Sequence, residues 1–263
     1  PLTAFNAVGA GQVANIALTT NLSYQRIDIE ADLKPEHIVR VQIIEGSEVI
    51  QEYTGLELRM RQAYLGDPIV EGRHSILFAD YTARQAGGVF YPNLDVLPGR
   101  RVTLNVELSE DAQLNGTMKA FAMTGPIVLG ANNTRIVPIV KKQHGPTVQE
   151  GEFHWGDFPR TDSPLISRLH FGGTAENTSS ISKIKVEKNQ VVINELTAEQ
   201  NKNILQQHKY KPQTGYFHYD VAPDGYREGR LMRTDVQTLV FKLDFAKTGA
   251  TPVLVEQFRV QAV

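Results

Sequence analysis

The sequence contains no cysteine, which excludes disulfide bonds, thiolate metal sites and cysteine nucleophiles. The same absence leaves the cellular compartment open, because a fold without disulfides can exist inside or outside a cell. Neither sign of charge dominates, since 27 Lys and Arg residues face 29 Asp and Glu residues for a net charge of -2. A surface built for nucleic acid would carry an excess of basic residues, so direct nucleic-acid binding is not expected.

Long apolar runs are also missing. No stretch approaches the roughly 18–20 consecutive apolar residues that a membrane-spanning helix requires. Residues 1–18 lack the basic start and the apolar core of a signal peptide. The sequence therefore predicts a soluble chain without an obvious export signal.

Short runs that alternate apolar and polar residues fill most of the chain, as half-buried β-strands do. In the run Arg101–Leu108, for example, every second residue from Val102 onward is apolar. Glycine, proline, asparagine and aspartate separate the runs, as turns between short antiparallel strands require. The pattern predicts an all-β fold.

One helix interrupts the strands in each half of the chain. Thr54 is followed three residues later by Glu57, and Thr197 is followed three residues later by Gln200. Both segments therefore begin with the Thr-x-x-Glu/Gln pattern of a capping box. Each threonine comes directly after a predicted hairpin.

The two helices belong to a longer repeat. Without gaps, Ile38–Gln62 aligns with Ile181–Leu205 at an offset of 143 positions. Alternation alone would align any two β-rich segments, but it would not place a capping-box threonine at the same point after the same hairpin. The alignment therefore indicates a repeated structural unit. Its identical pairs are Ile38/Ile181, Val49/Val192, Ile50/Ile193, Glu52/Glu195 and Thr54/Thr197.

Other strands extend the repeat at nearby offsets, and loops that differ in length explain the changes in offset. The aligned positions are Ile27 and Ile29 with Leu169 and Phe171 at 142, Ile76 and Phe78 with Phe217 and Tyr219 at 141, Val102–Leu108 with Leu239–Phe245 at 137, and Phe121 with Phe258 at 137.

Together these runs predict the architecture. With weaker runs near Asp95–Leu97 and Leu231–Arg233, each half has about eight short strands, the number of a jelly roll. We therefore predict two tandem eight-stranded jelly rolls, each with one short helix between its fourth and fifth strands. The first is expected to span residues 1–125 and the second residues 148–263, with a linker at 126–147.

This layout resembles the double jelly-roll major capsid proteins of membrane-containing icosahedral bacteriophages, the corticovirus and tectivirus type. The compact size is most like that of the corticovirus coat protein. The likeness covers most of the chain and is carried by strand order and strand character, since no invariant motif defines the family. The stretches that carry it are Tyr24–Leu58, Glu150–Phe171 and Ile181–Leu205.

The resemblance implies a structural protein of the virion, assembled in the host cell cytoplasm. Three copies would form a trimer whose six jelly rolls make a pseudo-hexagonal capsomer. Partners would be neighbouring capsomers, a vertex protein and an internal membrane or its proteins. The hairpin turns at Glu45–Ser47 and Glu187–Gln190 are too short to form surface towers, so Thr82–Gly99 and Asp220–Asp235 are the expected outer or inter-capsomer loops.

A search for catalytic motifs finds little. The sequence has no G-x-S-x-G elbow, no H-E-x-x-H and no phosphate-binding glycine loop. The strongest cluster comprises Glu152, His154, Trp155 and Asp157, where a carboxylate pair beside the only tryptophan would suit a glycosidic site. The polar members would share one face of an extended run, which more commonly is solvated or lies at an interface.

A second group of polar residues comprises His218, Asp220 and Asp224, with Gly225 allowing a tight turn. Oxygen ligands in such a turn would suit calcium, but the regular aspartate spacing of an EF-hand is absent. His208 and His218 would need a third metal ligand, and the sequence does not identify one.

Aromatic residues cluster between positions 210 and 219. They could form a base-stacking platform, although an aromatic strand in a β core is the commoner arrangement. They are Tyr210, Tyr216, Phe217 and Tyr219. We therefore predict no catalytic, cofactor-binding or metal-binding residue and no cofactor, while a structural divalent cation such as calcium stays compatible with the sequence.

Two other functions fit tandem jelly rolls. One is a glycan hydrolase or carbohydrate-binding protein, which the single tryptophan and the missing signal peptide disfavour. The other is a non-viral β-sandwich adhesin or assembly module.

Overall fold

The computed structural model describes residues 2–83, 86–114, 117–143, 147–148, 150–156, 164–172, 180–223, 232–233 and 238–263. The chain forms two compact units. The first comprises Pro1–Lys141 together with Val260–Val263, and the second comprises Lys142–Arg259. No helix in these described ranges is both long and apolar enough to cross a membrane.

The first unit contains two β-sheets. One has the strand order β1-β7-β3-β4-β9, and in the other β2 is central, with β8 on one side and β5 and β6 on the other. Its strands are β1 (Val13–Ala17), β2 (Leu22–Glu30), β3 (Ile38–Glu45), β4 (Glu48–Tyr53), β5 (Arg73–Leu77), β6 (Leu94–Val96), β7 (Val102–Leu108), β8 (Lys119–Gly125) and β9 (Thr134–Gln143). Its helices are α1 (Gly55–Tyr64) and α2 (Ala86–Phe90), with 3-10 turns at Pro35–His37 and Ala131–Asn133.

The second unit repeats this plan. One sheet has the order β11-β17-β13-β14, and in the other β12 lies between β19 and the pair β15 and β16. A small ribbon pairs β10 with β18. Its helix is α3 (Ala198–Gln207). Its strands are β10 (Thr147–Val148), β11 (Gly151–Trp155), β12 (Leu165–Gly172), β13 (Ile181–Lys188), β14 (Val191–Thr197), β15 (Tyr216–Asp220), β16 (Met232–Arg233), β17 (Leu239–Phe245), β18 (Gly249–Ala250) and β19 (Val253–Ala262).

Each unit is a jelly roll of eight strands, as predicted. They are β1–β8 in the first roll, and β11–β17 with β19 in the second. The predicted helix follows the fourth strand of each roll, but the first roll has a second short helix, α2, between its fifth and sixth strands. Strands β7 and β17 share the same alternation of buried and partly buried residues. Apolar residues at every second position therefore build a core between the two sheets, because successive side chains of a strand point to opposite faces.

Irregularities in strand register repeat as well. A β-bulge changes which residues face each other, so its position is part of a fold's design rather than a defect. Three register shifts occur at equivalent places in the two rolls, which confirms the repeat. They lie at Ile38/Arg40, Ile43/Ile44 and Tyr24/Arg26 in the first roll, and at Ile181/Lys183, Val186/Glu187 and Ile166/Arg168 in the second.

Pairing corrects one of the predicted offsets, that of the fifth strand. Ile27 pairs with Ile76, and its counterpart Leu169 pairs with Tyr219. Ile76 therefore corresponds to Tyr219 and not to Phe217, so the offset stays at 143 through this strand. The connection from helix to strand has the same length in both rolls, and the sequence alignment wrongly shortened it.

The last strand of each roll corrects a second offset. Phe121 pairs with Asp28, and Leu254 pairs with His170, the counterpart of Asp28. Phe121 therefore corresponds to Leu254, at an offset of 133, and the predicted match to Phe258 is wrong. The connection before this strand is four residues shorter in the second roll, so the offset falls from 137 to 133 there. The prediction had kept the offset constant at 137.

Both predicted capping boxes are present. The hydroxyl oxygen of Thr54 accepts from the backbone N–H of Glu57, whose carboxylate accepts in return from the Thr54 N–H at 2.8 Å. Thr197 and Gln200 make the same reciprocal bonds at the start of α3. Each box satisfies backbone donors that a helix start would otherwise leave unpaired.

The segment 126–147, predicted to be a linker, contains the ten-residue strand β9. Next to its start, the end of the chain returns to the first unit, and the Val263 N–H donates to the Asn133 carbonyl at 2.9 Å. Arg135 is buried there and donates to the side chains of Gln261 and Glu45, the latter at 2.5 Å. Residues 260–263 thus form part of the first unit.

Gly55, the first residue of α1, allows a test of how closely the start of this helix packs against the 3-10 turn Pro35–His37. A β-carbon at Gly55 would lie 2.1 Å from the Pro35 carbonyl oxygen and 2.9 Å from the Ile38 β-carbon. We expect Gly55→Ala to lower the free energy of unfolding by about 1–3 kcal/mol, because the 3-10 turn must move away. The second roll carries Ala198 at this position. Urea denaturation would measure the change.

Gly87→Ala in α2 is the matched control. A β-carbon there meets no atom within 4 Å, so this variant should be as stable as the wild type or slightly more stable. Equal stability of the two variants would contradict the tight contact at Gly55.

Candidate functional site

The predicted cluster on β11 is divided between two faces of the sheet. Trp155 is buried, and its ring centroid lies 5.8 Å from those of Phe171 and Phe241 in the core. Glu152 and His154 lie on the exposed face, where His154 Nε2 is 2.5 Å from Glu152 Oε1. The structure therefore does not bring the tryptophan and the carboxylate together.

The pKa of Glu152 is also shifted in the direction opposite to that of a glycosidic general acid. A hydrogen bond from His154 lowers the pKa of Glu152, and Lys242 and Lys185 act in the same direction. A glycosidic general acid instead has a raised pKa and a second carboxyl group across the substrate. Asp157, predicted to share this face, lies outside the described residues.

His218 and Asp220, two members of the group that would suit calcium, are buried in the second roll. The Asp220 carboxylate accepts from Arg168 Nε at 2.6 Å and from the Ala222 N–H at 2.9 Å, so its oxygens are engaged within the protein. His208 is the C-cap residue of α3, whereas His218 lies in β15. Asp224 and Gly225 are outside the described residues. In the part of the chain that is described, no three His, Asp or Glu side chains are placed to hold a metal ion.

The aromatic group belongs largely to the core. Phe217 and Tyr219 pack with the other buried apolar residues of the second roll. Burial raises the pKa of Tyr219 to about 12, and its hydroxyl oxygen accepts from Asn194 Nδ2 at 2.9 Å. Tyr210 is buried too, while the half-buried Tyr216 stacks on the ring of His218. These side chains do not form an exposed base-stacking platform.

A buried polar network, which the sequence analysis did not identify, lies at the centre of this region. Arg168 is on β12, and its side chain is 1% exposed on the face opposite Leu169. Its guanidinium donates to Asp220, and its Nη2 donates to the Tyr210 hydroxyl at 2.9 Å. Its Nη1 lies 3.5 Å from Glu256 Oε2. A buried arginine is tolerated because carboxylates and a hydroxyl replace its water shell.

Two histidines continue the network, and their partners define where the protons lie. The backbone N–H of Gln213 donates to His218 Nε2, so His218 carries its proton on Nδ1. That proton is donated to His170 Nδ1 at 2.7 Å. His170 then donates from Nε2 to Glu256 Oε1 at 3.0 Å. His218 is therefore neutral, and burial holds its pKa well below the ordinary value.

The first roll has a related network at the equivalent place. Arg26 corresponds to Arg168, and it donates to Asp28 at 2.6 Å and to Asp67 at 2.7 Å. Asp67 corresponds to Tyr210, and each of these residues follows the helix of its roll. In both rolls, an arginine on the second strand is therefore bonded to the segment that leaves the helix.

A sequence signal for this network exists but is ambiguous. Arg168 and His170 alternate with Leu169 and Phe171, as the polar face of an ordinary half-exposed strand would. Only the packing shows that both faces are buried. The recurrence of arginine at positions 26 and 168 within the repeat is the feature that would have identified it.

Removing the arginine tests the importance of the network. Arg168→Met keeps a similar volume but leaves Asp220 and Glu256 buried without their cation. We expect a loss of about 3–5 kcal/mol in the free energy of unfolding, because an uncompensated buried charge is costly. Chemical denaturation followed by circular dichroism would measure it.

Lys183→Met is the control for that variant, because Lys183 pairs with Glu195 on the exposed face of the second roll. Solvent screens exposed pairs, so this variant should unfold like the wild type. An Arg168→Met protein of wild-type stability would show that the buried network does not contribute to stability.

The histidine pair predicts a pH dependence. The unfolded chain binds a proton on His218 near the ordinary pKa of 6.5, whereas the folded protein resists protonation. The unfolded state then binds more protons below that pH, so the free energy of unfolding should fall as the pH falls, by up to about 1.4 kcal/mol per pH unit. Urea denaturation at several pH values between about 8 and 5 would measure this slope.

His218→Asn should make the slope shallower. It should not abolish the slope, because burial also lowers the pKa of His74 in the first roll. An unaltered slope in His218→Asn would contradict the proton arrangement described above.

Two jelly rolls in tandem, each with a helix after its fourth strand, have the double jelly-roll fold of solved major capsid proteins. Residues 1–125 match the family model of the viral coat protein P2 N-terminal domain, and residues 137–261 match that of the P2 C-terminal domain. The chain belongs to the P2 family of viral coat proteins. It is therefore a capsid component of a virion and not an enzyme.

Solved structures show the same fold. The major capsid protein P2 of bacteriophage PM2 is 17% identical, with a TM-score of 0.82 over 99% of this chain and 96% of that one. The STIV major capsid protein is 13% identical, with a TM-score of 0.67 over 98% and 95% of the two chains. VP54 of PBCV-1 is 11% identical, with a TM-score of 0.60 over 98% and 92%. No curated protein sequence matches the chain at a significant level.

Proposed function

We propose that this capsid protein forms a homotrimer whose six jelly rolls make one pseudo-hexagonal capsomer. The observation that carries the proposal is the internal repeat, in which register shifts, capping boxes and the hydrogen-bonded arginine of the second strand recur at equivalent positions. Each chain contributes two similar jelly rolls, so a ring of three chains has six similar positions. Closed rings of this kind are the common result of heterologous contacts between identical chains.

Several further partners are proposed on the family resemblance alone. Neighbouring capsomers, a vertex protein and an internal membrane or its proteins would contact the trimer, and assembly would take place in the host cytoplasm.

The two-residue turns of the hairpins before α1 and α3 favour a low outer surface. Gly46 and Ser47 join β3 to β4, and Asn189 and Gln190 join β13 to β14, both of the latter with positive φ as in a type I′ turn.

The oligomeric state tests this proposal. Size-exclusion chromatography with light scattering should give about 88 kDa, three times the 29.3 kDa of one chain. The six-position arrangement should then appear as a hexagonal outline in negative-stain images. A protein that stays monomeric at high concentration would contradict the trimer, while its place in the coat protein family would be unaffected.

A further inference from the structure

Strands β4 and β14 occupy equivalent places in the two rolls but have different surroundings. In the first unit β9 lies beside β4, where Val140 pairs with Gln51 in parallel. The Gln51 side chain also donates to the Pro138 carbonyl at 3.1 Å. In the second unit β14 is the outermost strand of its sheet, as far as the described residues show.

The exposure of equivalent residues follows this difference. Ile50 of β4 is 0% exposed, whereas its counterpart Ile193 is 48% exposed. Val191 and Val192 are also exposed, at 62% and 44%. Three consecutive apolar residues therefore face solvent on a sheet edge. Such an edge promotes association with other chains unless it is covered.

The repeat indicates what covers this edge. Each chain has two equivalent edges, β4 and β14, but the strand that accompanies β4 occurs once. A second copy of the chain can supply equivalent cover for β14, as a heterologous contact requires. At β4 the cover comes from the chain's own strand. The repeat therefore favours another copy of the same chain at β14 over a partner of unrelated sequence.

We propose that the edge Val191–Ile193 is a contact surface between copies of this chain. The inference rests on the proposed trimer and adds the strand through which its subunits meet. The contact is apolar at its centre. The ion pair between Lys183 and Glu195 lies on the same exposed face and forms a polar border, the usual arrangement of a protein interface.

Ile193→Lys tests the inference. A lysine there would stay solvated in the free subunit but would be buried without a partner in the trimer. We expect a folded monomer at concentrations where the wild type is trimeric, with association weakened about tenfold or more. Light scattering across a dilution series would measure association, and circular dichroism would check the fold.

Val39→Lys is the matched control, because Val39 is an apolar β3 residue of similar exposure, at 45%, and the charge change is the same. It should trimerise like the wild type. If Ile193→Lys does not fold, Val191→Lys at the more exposed position makes the same test. Wild-type association in a folded edge variant would overturn the inference and leave the trimer standing, whereas a monomeric wild type would overturn both.

Discussion

An arginine on the second strand of each jelly roll, fully buried at position 168 and mostly buried at position 26, is the contact on which the rest of the fold depends. Its charge requires replacement partners for water, and these come from the neighbouring strands and from the residue that leaves the helix, Asp67 for Arg26 and Tyr210 for Arg168. Because the hydrogen bonds are directional, they fix the position of the helix exit relative to the sheet. The apolar core supplies most of the driving force for folding, but it does not specify that position.

Strand register is the second constraint. The bulge near Arg26 and its counterpart near Arg168 recur where the second strand meets the last strand of its roll. Without the bulge, one part of that strand would point its apolar side chains away from the core. The bulges and the arginines therefore belong to one local design, which occurs twice in the chain with different partners for the arginine: Asp28 and Asp67 in one roll, Asp220 and Tyr210 in the other.

The sequence was sufficient for the class, the repeat and the helix starts, because these depend on local patterns such as alternation and the Thr54 and Thr197 capping boxes. It was insufficient for the strand offsets after the helix, since loop lengths leave no periodic signal and only pairing shows that Phe121 corresponds to Leu254. It also missed the histidine pair. Polar residues alternating with core residues predict a solvated face, and burial of both faces arises from the packing of α3, where Asn201 donates to the His218 carbonyl.

The return of residues 260–263 to the first unit affects the order of folding during synthesis. A ribosome releases the first roll long before the end of the chain, yet Arg135 and the Asn133 carbonyl bond to Gln261 and Val263. An N-terminal domain usually folds as soon as it emerges. Here its last contacts form only after the second roll has been made. A first roll produced without residues 260–263 would lack these contacts, and its fold should be less stable for that reason.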